Sequence, residues 1–428
     1  MATNPTRALE RGRQRIGRTL AGGGKRHGDR RFLLLLALPS LGLALAATTV
    51  STYLPVLLSE ISGPTVIGVL IGTEGLLALF IPPFVGRRSD SLQTPIGGRM
   101  PFILAGAPLA AAALIAMPLA RSVTGVAPIL LTFYVGYFLF YPPYRAEYPD
   151  LVQNEMRGRS QSAQKTLREA GLVVALVGGG VLLSIGREIP FALAAVVLVA
   201  TTALFFLSVP SASRQNGEAD RSEQGTIAAA REILRERPIR LLVSANLLWE
   251  LALGAIKTFV ILFFTAGLGH SSSFASAVLS AAAVAIIAGA LVGGPLGDRI
   301  GELRVLRAGV VVYGLGLLVP LVTQSPIALV AVPFVSFAGG VVMTLAFAAV
   351  MNVMPEGRYG AAAGVFELTR GVGTMLGPIL AGVAIQLSRG ILSSTDGYAA
   401  MWGVASIAVL LSLPLLSRAR AVIGRQDR

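Results

Sequence analysis

Charged residues set inside long apolar runs are the first places in this 428-residue chain where chemistry could happen. Glu74 stands in the run 65–86, about 14 Å of helical rise from its start and close to the middle of a bilayer. No opposite charge lies near it in sequence. A carboxylate in that setting is costly while ionised, which suits a group that gains and loses a proton during a working cycle. The alternative is a glutamate bonded to a neighbouring helix for packing. A second set, Asn246, Glu250 and Lys257, falls at i, i+4 and i+11 in the run 239–265 and shares one helical face. Glu250 lies near mid-depth, with Lys257 about 10 Å nearer the outside. These three could orient a polar solute or couple its movement to an ion. Ion pairing with other helices, or a Lys257 reaching for the interface, is the structural alternative.

Around the run 126–147 a stripe recurs at helical spacing: Tyr134, Tyr137, Tyr141, Tyr144, Arg145 and Tyr148, holding five of the nine tyrosines. All fall within about 100° of one another on a regular helix. Such a stripe is more often core than site. Here the hydroxyls need partners that lipid cannot supply, so Tyr134, Tyr137, Tyr141 and Arg145 are expected to wall a cavity. Pro142-Pro143 is expected to bend the helix and disturb the register. Phenol rings beside a guanidinium suit a hydroxylated or anionic solute, and equally an aromatic one.

The elements that must position these groups are membrane helices. The chain is 54% hydrophobic and only 14% charged, which excludes a string of soluble domains. Twelve runs are long enough to cross a bilayer: 32–58, 65–86, 101–119, 126–147, 163–186, 189–209, 239–265, 272–296, 304–323, 326–351, 360–388 and 397–417. Of the 36 Lys and Arg, 29 fall on one side of this arrangement, 3 on the other (Arg121, Arg187, Arg389) and 4 within spans. That bias puts both termini in the cytoplasm. The net charge of +14 therefore sits in loops, tails and helix ends and forms no surface for nucleic acid. Arginine outnumbers lysine 33 to 3, which reads as base composition of the genome. Residues 1–31 form a basic tail suited to anionic lipid, and without an apolar core it is no secretory signal. Residues 210–238 read as a polar linker with an amphipathic helix near Thr226–Arg237, and 418–428 as a second cytoplasmic tail.

With no cysteine and only His27 and His270, neither a metal centre nor a disulfide is expected. No P-loop or HExxH motif is present, and neither a cofactor nor enzymatic activity is expected.

Two polar loops repeat. The first runs from Gly86 through Arg87, Arg88, Ser89, Asp90, Gly97, Arg99 and Pro101 to Phe102, and reads as a short hinge between two spans. The second carries Gly294, Asp298, Arg299, Gly301 and Arg304. The two aspartates are 208 residues apart, and a further matching pair, Arg157-Gly158 with Arg168 and Tyr359-Gly360 with Arg370, lies 202 apart. The chain is therefore read as two repeated six-helix halves, 32–209 and 239–417. Asp90 and Asp298 are placed to meet the positive ends of helices in the other half, and Gly86 and Gly294 to let backbones approach closely. With Arg99, Glu147, Arg168, Arg299, Glu367 and Arg370 they read as two symmetric charge groups near the cytoplasmic surface that gate one face. Simple solvated loop charge is the alternative.

A Gly-x-x-x-Asp stretch followed by Gly and Arg between apolar spans resembles the loop signature of the major facilitator superfamily. Ser89-Asp90, Gly97, Arg99, Pro101 and Phe102 further resemble the loop of sucrose/proton symporters, although Ser91, Gly98 and Met100 stand where that pattern has arginines. The resemblance implies an all-α membrane protein whose two pseudo-symmetric halves bind solute between them. It implies a secondary carrier in a prokaryotic inner membrane that moves a small solute, a sugar or glycoside by the closer likeness, coupled to protons or Na+. Helices one, four, seven and ten would line the path, which places Asn246, Glu250 and Lys257 on it. Such symporters would have a carboxylate in the middle of span four, where this chain has Tyr137 and Tyr141, so coupling would fall to Glu74 or Glu250. A monomer is expected. The alternatives are a proton-driven exporter of amphiphilic or drug-like compounds, and a non-transporting assembly factor or sensor.

The topology is checked with impermeant thiol reagents, since no native cysteine interferes. Thr3→Cys and Ser213→Cys are expected to stay unlabelled in intact cells and to react after permeabilisation. Labelling of either in intact cells reverses the assignment.

Overall fold

The computed structural model describes residues 30–152, 156–208, 234–353 and 359–426. Every regular element among them is helical, and twelve are long and apolar enough to cross a membrane. A helix satisfies its backbone groups internally, which hydrocarbon demands of any single segment. In chain order the helices are α1 (Arg30–Ser59), α2 (Pro64–Ser91), α3 (Met100–Ala116), α4 (Val123–Leu151), α5 (Arg157–Ile185), α6 (Ile189–Ser208), α7 (Arg237–Leu262), α8 (Ser272–Ile300), α9 (Glu302–Gly316), α10 (Pro326–Asn352), α11 (Tyr359–Ser388) and α12 (Ala400–Gln426).

Some boundaries differ from the sequence expectation for visible reasons. The supposed hinge from Gly86 to Ser91 is the end of α2, which continues past the apolar run, so the connection proper is 92–99. The run 304–323 is two pieces, α9 and a four-residue helix Val319–Val322, because Leu317 and Leu318 form a turn between Gly316 and Val319-Pro320. Pro142-Pro143 does not end α4, which runs unbroken to Leu151. The amphipathic helix expected at 226–237 lies almost wholly outside the described residues.

The chain forms two compact units: the described residues of Met1–Leu54 and Phe80–Ala219, and those of Pro55–Leu79 and Asp220–Arg428. In the first, α1 is the core, with Leu36, Val50, Tyr53 and Leu54 fully buried. Two tyrosines bind it to its neighbours. Tyr144 of α4 donates to the Leu36 carbonyl at 2.9 Å, and Tyr53 of α1 donates to the Ala175 carbonyl of α5 at 3.0 Å. Lipid tails are as apolar as leucine, so contact between membrane helices rests on packing and on such bonds. The α3–α4 crossing is made by Gly106 and Gly136, each of which has the other's backbone where a side chain would be.

In the second unit α11 is packed on two sides. One side (Gly371, Met375, Pro378, Gly382) meets Gly75, Gly72, Gly68 and Pro64 of α2. The opposite side (Gly373 and Gly377) meets Glu250, Leu251 and Ala255 of α7. Helix α7 is tied to α12 by Trp249, whose indole donates to Ser412 at 2.9 Å, and α9 to α12 by Ser406, which donates to the Gly314 carbonyl at 2.7 Å.

This packing separates two glycines of similar sequence setting. A side chain at Gly377 would run into the α7 backbone at Leu251 and Ala255, whereas one at Gly178 of α5 meets nothing within 4 Å. Gly377→Leu is expected to lower stability by about 1–3 kcal/mol, the usual cost of overpacking. Thermal unfolding of the purified protein should show a lowered midpoint for this variant and an unchanged one for Gly178→Leu.

Candidate functional site

Helices α7 and α11 together carry a group of polar side chains within the spans of the second unit. Glu250 lies about 20 Å along α7 and is half-buried, its Cβ pressed against Gly373. Arg370, about 17 Å along α11, lies 3.5 Å from Glu367 one turn earlier. The charges of Arg370, Glu367 and Lys257 all act on Glu250. Beside them Asn246 is buried and donates to Thr369 at 2.9 Å.

Glu367 and Arg370, expected near the cytoplasmic surface, lie in the first two turns of the span Gly364–Ser388 and are about half-exposed, and their charges act on Glu250 of α7. Asn246, expected to face solute, spends an amide hydrogen on Thr369. Thr369 itself was not singled out, since a threonine in an apolar run carries no signal until its partner is known. A carboxylate held near one guanidinium that also serves a second carboxylate can exchange partners, and can bind hydroxyls or an anion.

Glu74 belongs to the same unit. It is half-buried on α2 and adjoins Gly75, whose backbone crosses Gly371 next to Arg370. Among the described residues Glu74 makes no ion pair.

The tyrosine stripe divides. Tyr134 and Tyr144 are buried, and Tyr144 also bonds Ser40 at 2.9 Å, which makes it an anchor for α1. Tyr137 and Tyr141 remain half-buried, their rings stacked at 5.6 Å with planes 15° apart. Exposed Arg145 donates to the Tyr141 hydroxyl at 3.3 Å and lies 5.6 Å from that ring's centre. The half-open part of the stripe is therefore Tyr137, Tyr141 and Arg145.

The first loop forms its own lock. Arg99, largely buried, contacts Asp90 through both Nε (3.0 Å) and Nη2 (2.9 Å), and its Nη1 donates to the Ala146 carbonyl beside buried Glu147 on α4. One side chain thus joins the end of α2, the start of α3 and the end of α4. The second loop does not repeat this. Asp298 and Arg299 are exposed, and among the described residues Asp298 makes no ion pair; Glu302 instead accepts from Asn352 at 2.8 Å. Arg168 is likewise exposed with no ion pair among the described residues. Among the described residues nothing lies within 4 Å of a side chain built at Gly86 or Gly294, whereas Gly98 is hemmed in by the Ser89 and Leu92 carbonyls.

Twelve membrane-length helices, intramembrane charges and loop motifs of this kind point to a membrane transporter of the major facilitator fold. The chain belongs to the family described as MFS/sugar transport protein, which matches residues 35–417. Among solved structures, the chain is similar to a bacterial homologue of the human lysosomal transporter Spinster, with a TM-score of 0.77 and 14% identity over 93% of this chain and 98% of that one. It is similar to the nucleoside transporter NupG, with a TM-score of 0.73 and 16% identity over 90% and 98%. It is also similar to a bacterial homologue of the iron transporter ferroportin, with a TM-score of 0.68 and 16% identity over 90% and 97%. No curated protein matches the sequence. The protein is accordingly a multi-pass membrane transporter.

The unequal loops predict unequal variants. Asp90→Asn breaks the contact that holds Arg99, whereas Asp298→Asn removes an exposed charge. Solute exchange in proteoliposomes is expected to slow several-fold for Asp90→Asn and much less for Asp298→Asn, with direct binding affinity within a few-fold in both. Equal rates for the two variants would remove Arg99 from the transport cycle.

Proposed function

We propose that this protein carries a small hydroxylated solute, of the sugar or glycoside class, by alternating access coupled to protons. In this reading it works as a monomer in a prokaryotic inner membrane with both termini in the cytoplasm. The observation that carries the proposal is the group formed by Glu250, Arg370, Glu367 and Lys257 inside the spans, with Glu74 on a neighbouring helix and in no ion pair among the described residues. Ionisable groups at such depth are expensive and are rarely kept for packing alone. Carboxylate, guanidinium and ammonium together bind vicinal hydroxyls well. The stacked Tyr137–Tyr141 pair with Arg145 offers flat apolar faces and a cation in the first unit, a chemistry that also suits a sugar ring. The family description and the likeness of the first loop to sucrose/proton symporters support the same solute class.

The division of labour follows from the charges. Glu250, on which the charges of Arg370, Glu367 and Lys257 act, is the group assigned to orient solute. Glu74, on a neighbouring helix and in no ion pair among the described residues, is assigned as the proton carrier. Gln imitates a protonated Glu with little change of shape.

Uptake and counterflow in proteoliposomes, over a panel of sugars, glycosides and amphiphilic compounds with and without a pH gradient, test this reading. Glu74→Gln is expected to abolish accumulation against a gradient while keeping solute exchange. Glu250→Gln is expected to reduce both by an order of magnitude or more. Gradient-driven accumulation by Glu74→Gln would make Glu74 structural, and pH-driven efflux of amphiphiles without sugar movement would replace the importer by an exporter.

A further inference from the structure

A cavity of about 320 Å3 opens where the described residues of α1 and α5 begin. Arg30, Leu33, Leu34, Met156, Arg159 and Ala163 line it. Arg30 is the first described residue of α1, and Arg159 lies in the first turn of α5. Both are exposed, and no acid lines the cavity among the described residues. Among the described residues Arg159 bonds from Nη1 to the Met156 sulfur at 3.8 Å, a weak acceptor. Two cations facing one space repel each other unless an anion lies between them. Below them the wall turns apolar: Leu34 is 43% exposed, with Leu33 and Ala163 beside it.

We infer that this cavity holds the headgroup of an anionic phospholipid. The phosphodiester would bridge Arg30 and Arg159, and an acyl chain would descend along Leu33, Leu34 and Ala163. Three features select this occupant. The cavity sits at the ends of membrane-length helices, at the depth of headgroups. Its rim is cationic, and an arginine forks readily onto phosphate. Its floor is hydrocarbon, which a free phosphate has no use for. Basic pockets between membrane helices are suited to anionic headgroups. The site stands independently of the proposed solute and of proton coupling.

Native mass spectrometry of the full-length protein, released from micelles with phosphatidylglycerol, phosphatidylcholine or inorganic phosphate added, tests it. Phosphatidylglycerol is expected to remain bound in preference to phosphatidylcholine, and phosphate not to displace it. Arg30→Gln and Arg159→Gln should each weaken retention about five-fold, and the paired Arg→Lys variant should keep most of it, with thermal unfolding unchanged throughout. Arg121→Gln, on another loop, should behave as the parent. Equal retention of both lipids, displacement by phosphate, or undiminished binding by the paired Arg→Gln variant would overturn the proposal.

Discussion

Hydrocarbon offers no hydrogen-bond partner, and most of this structure follows from that constraint. Backbone groups must be satisfied within each segment, so the spans are helices. Helices surrounded by lipid gain little from burying leucine, so they hold together where glycine lets backbones touch or where a hydroxyl finds a carbonyl. Gly106 against Gly136, Gly377 against Leu251, and Tyr144 on Leu36 are instances of those two devices.

The same constraint explains the placement of charge. An ion in a span must have a partner, a use or both. Arg370 pairs with Glu367 on its own helix, and its charge acts on Glu250 of the facing one. The glycines that let α7 and α11 approach, Gly373 above all, are also what bring Glu250 under the influence of Arg370. Packing and electrostatics are thus one design in this unit, and a bulky residue at Gly373 would disturb both.

The two polar loops share a spacing in sequence, yet their contacts differ. Arg99 reaches three segments from a largely buried position, whereas the second loop leaves Asp298 and Arg299 exposed and pairs Glu302 with Asn352. Gly98, standing where the symporter pattern has an arginine, is the residue the tight first loop requires, since the Ser89 and Leu92 carbonyls occupy the place of a side chain.

Hydropathy alone determined the twelve spans, their order and the intramembrane position of Glu74 and Glu250, because burial in lipid is a local requirement written into each run of about 20 residues. The loop spacing determined the family in the same local way. What each side chain meets was decided only in three dimensions. Glu250 and Arg370 are 120 residues apart in sequence, and no periodicity within either helix could bring them together. The tyrosine stripe divided for the same reason: Tyr144 and Tyr137 share a helical face, but only Tyr144 has the Leu36 carbonyl and Ser40 waiting on α1. Gly86 and Gly377 look alike as letters, and only the neighbouring backbone made one dispensable for packing and the other essential. A sequence records what a segment needs from its solvent, while the partner that meets the need is set by the tertiary contacts.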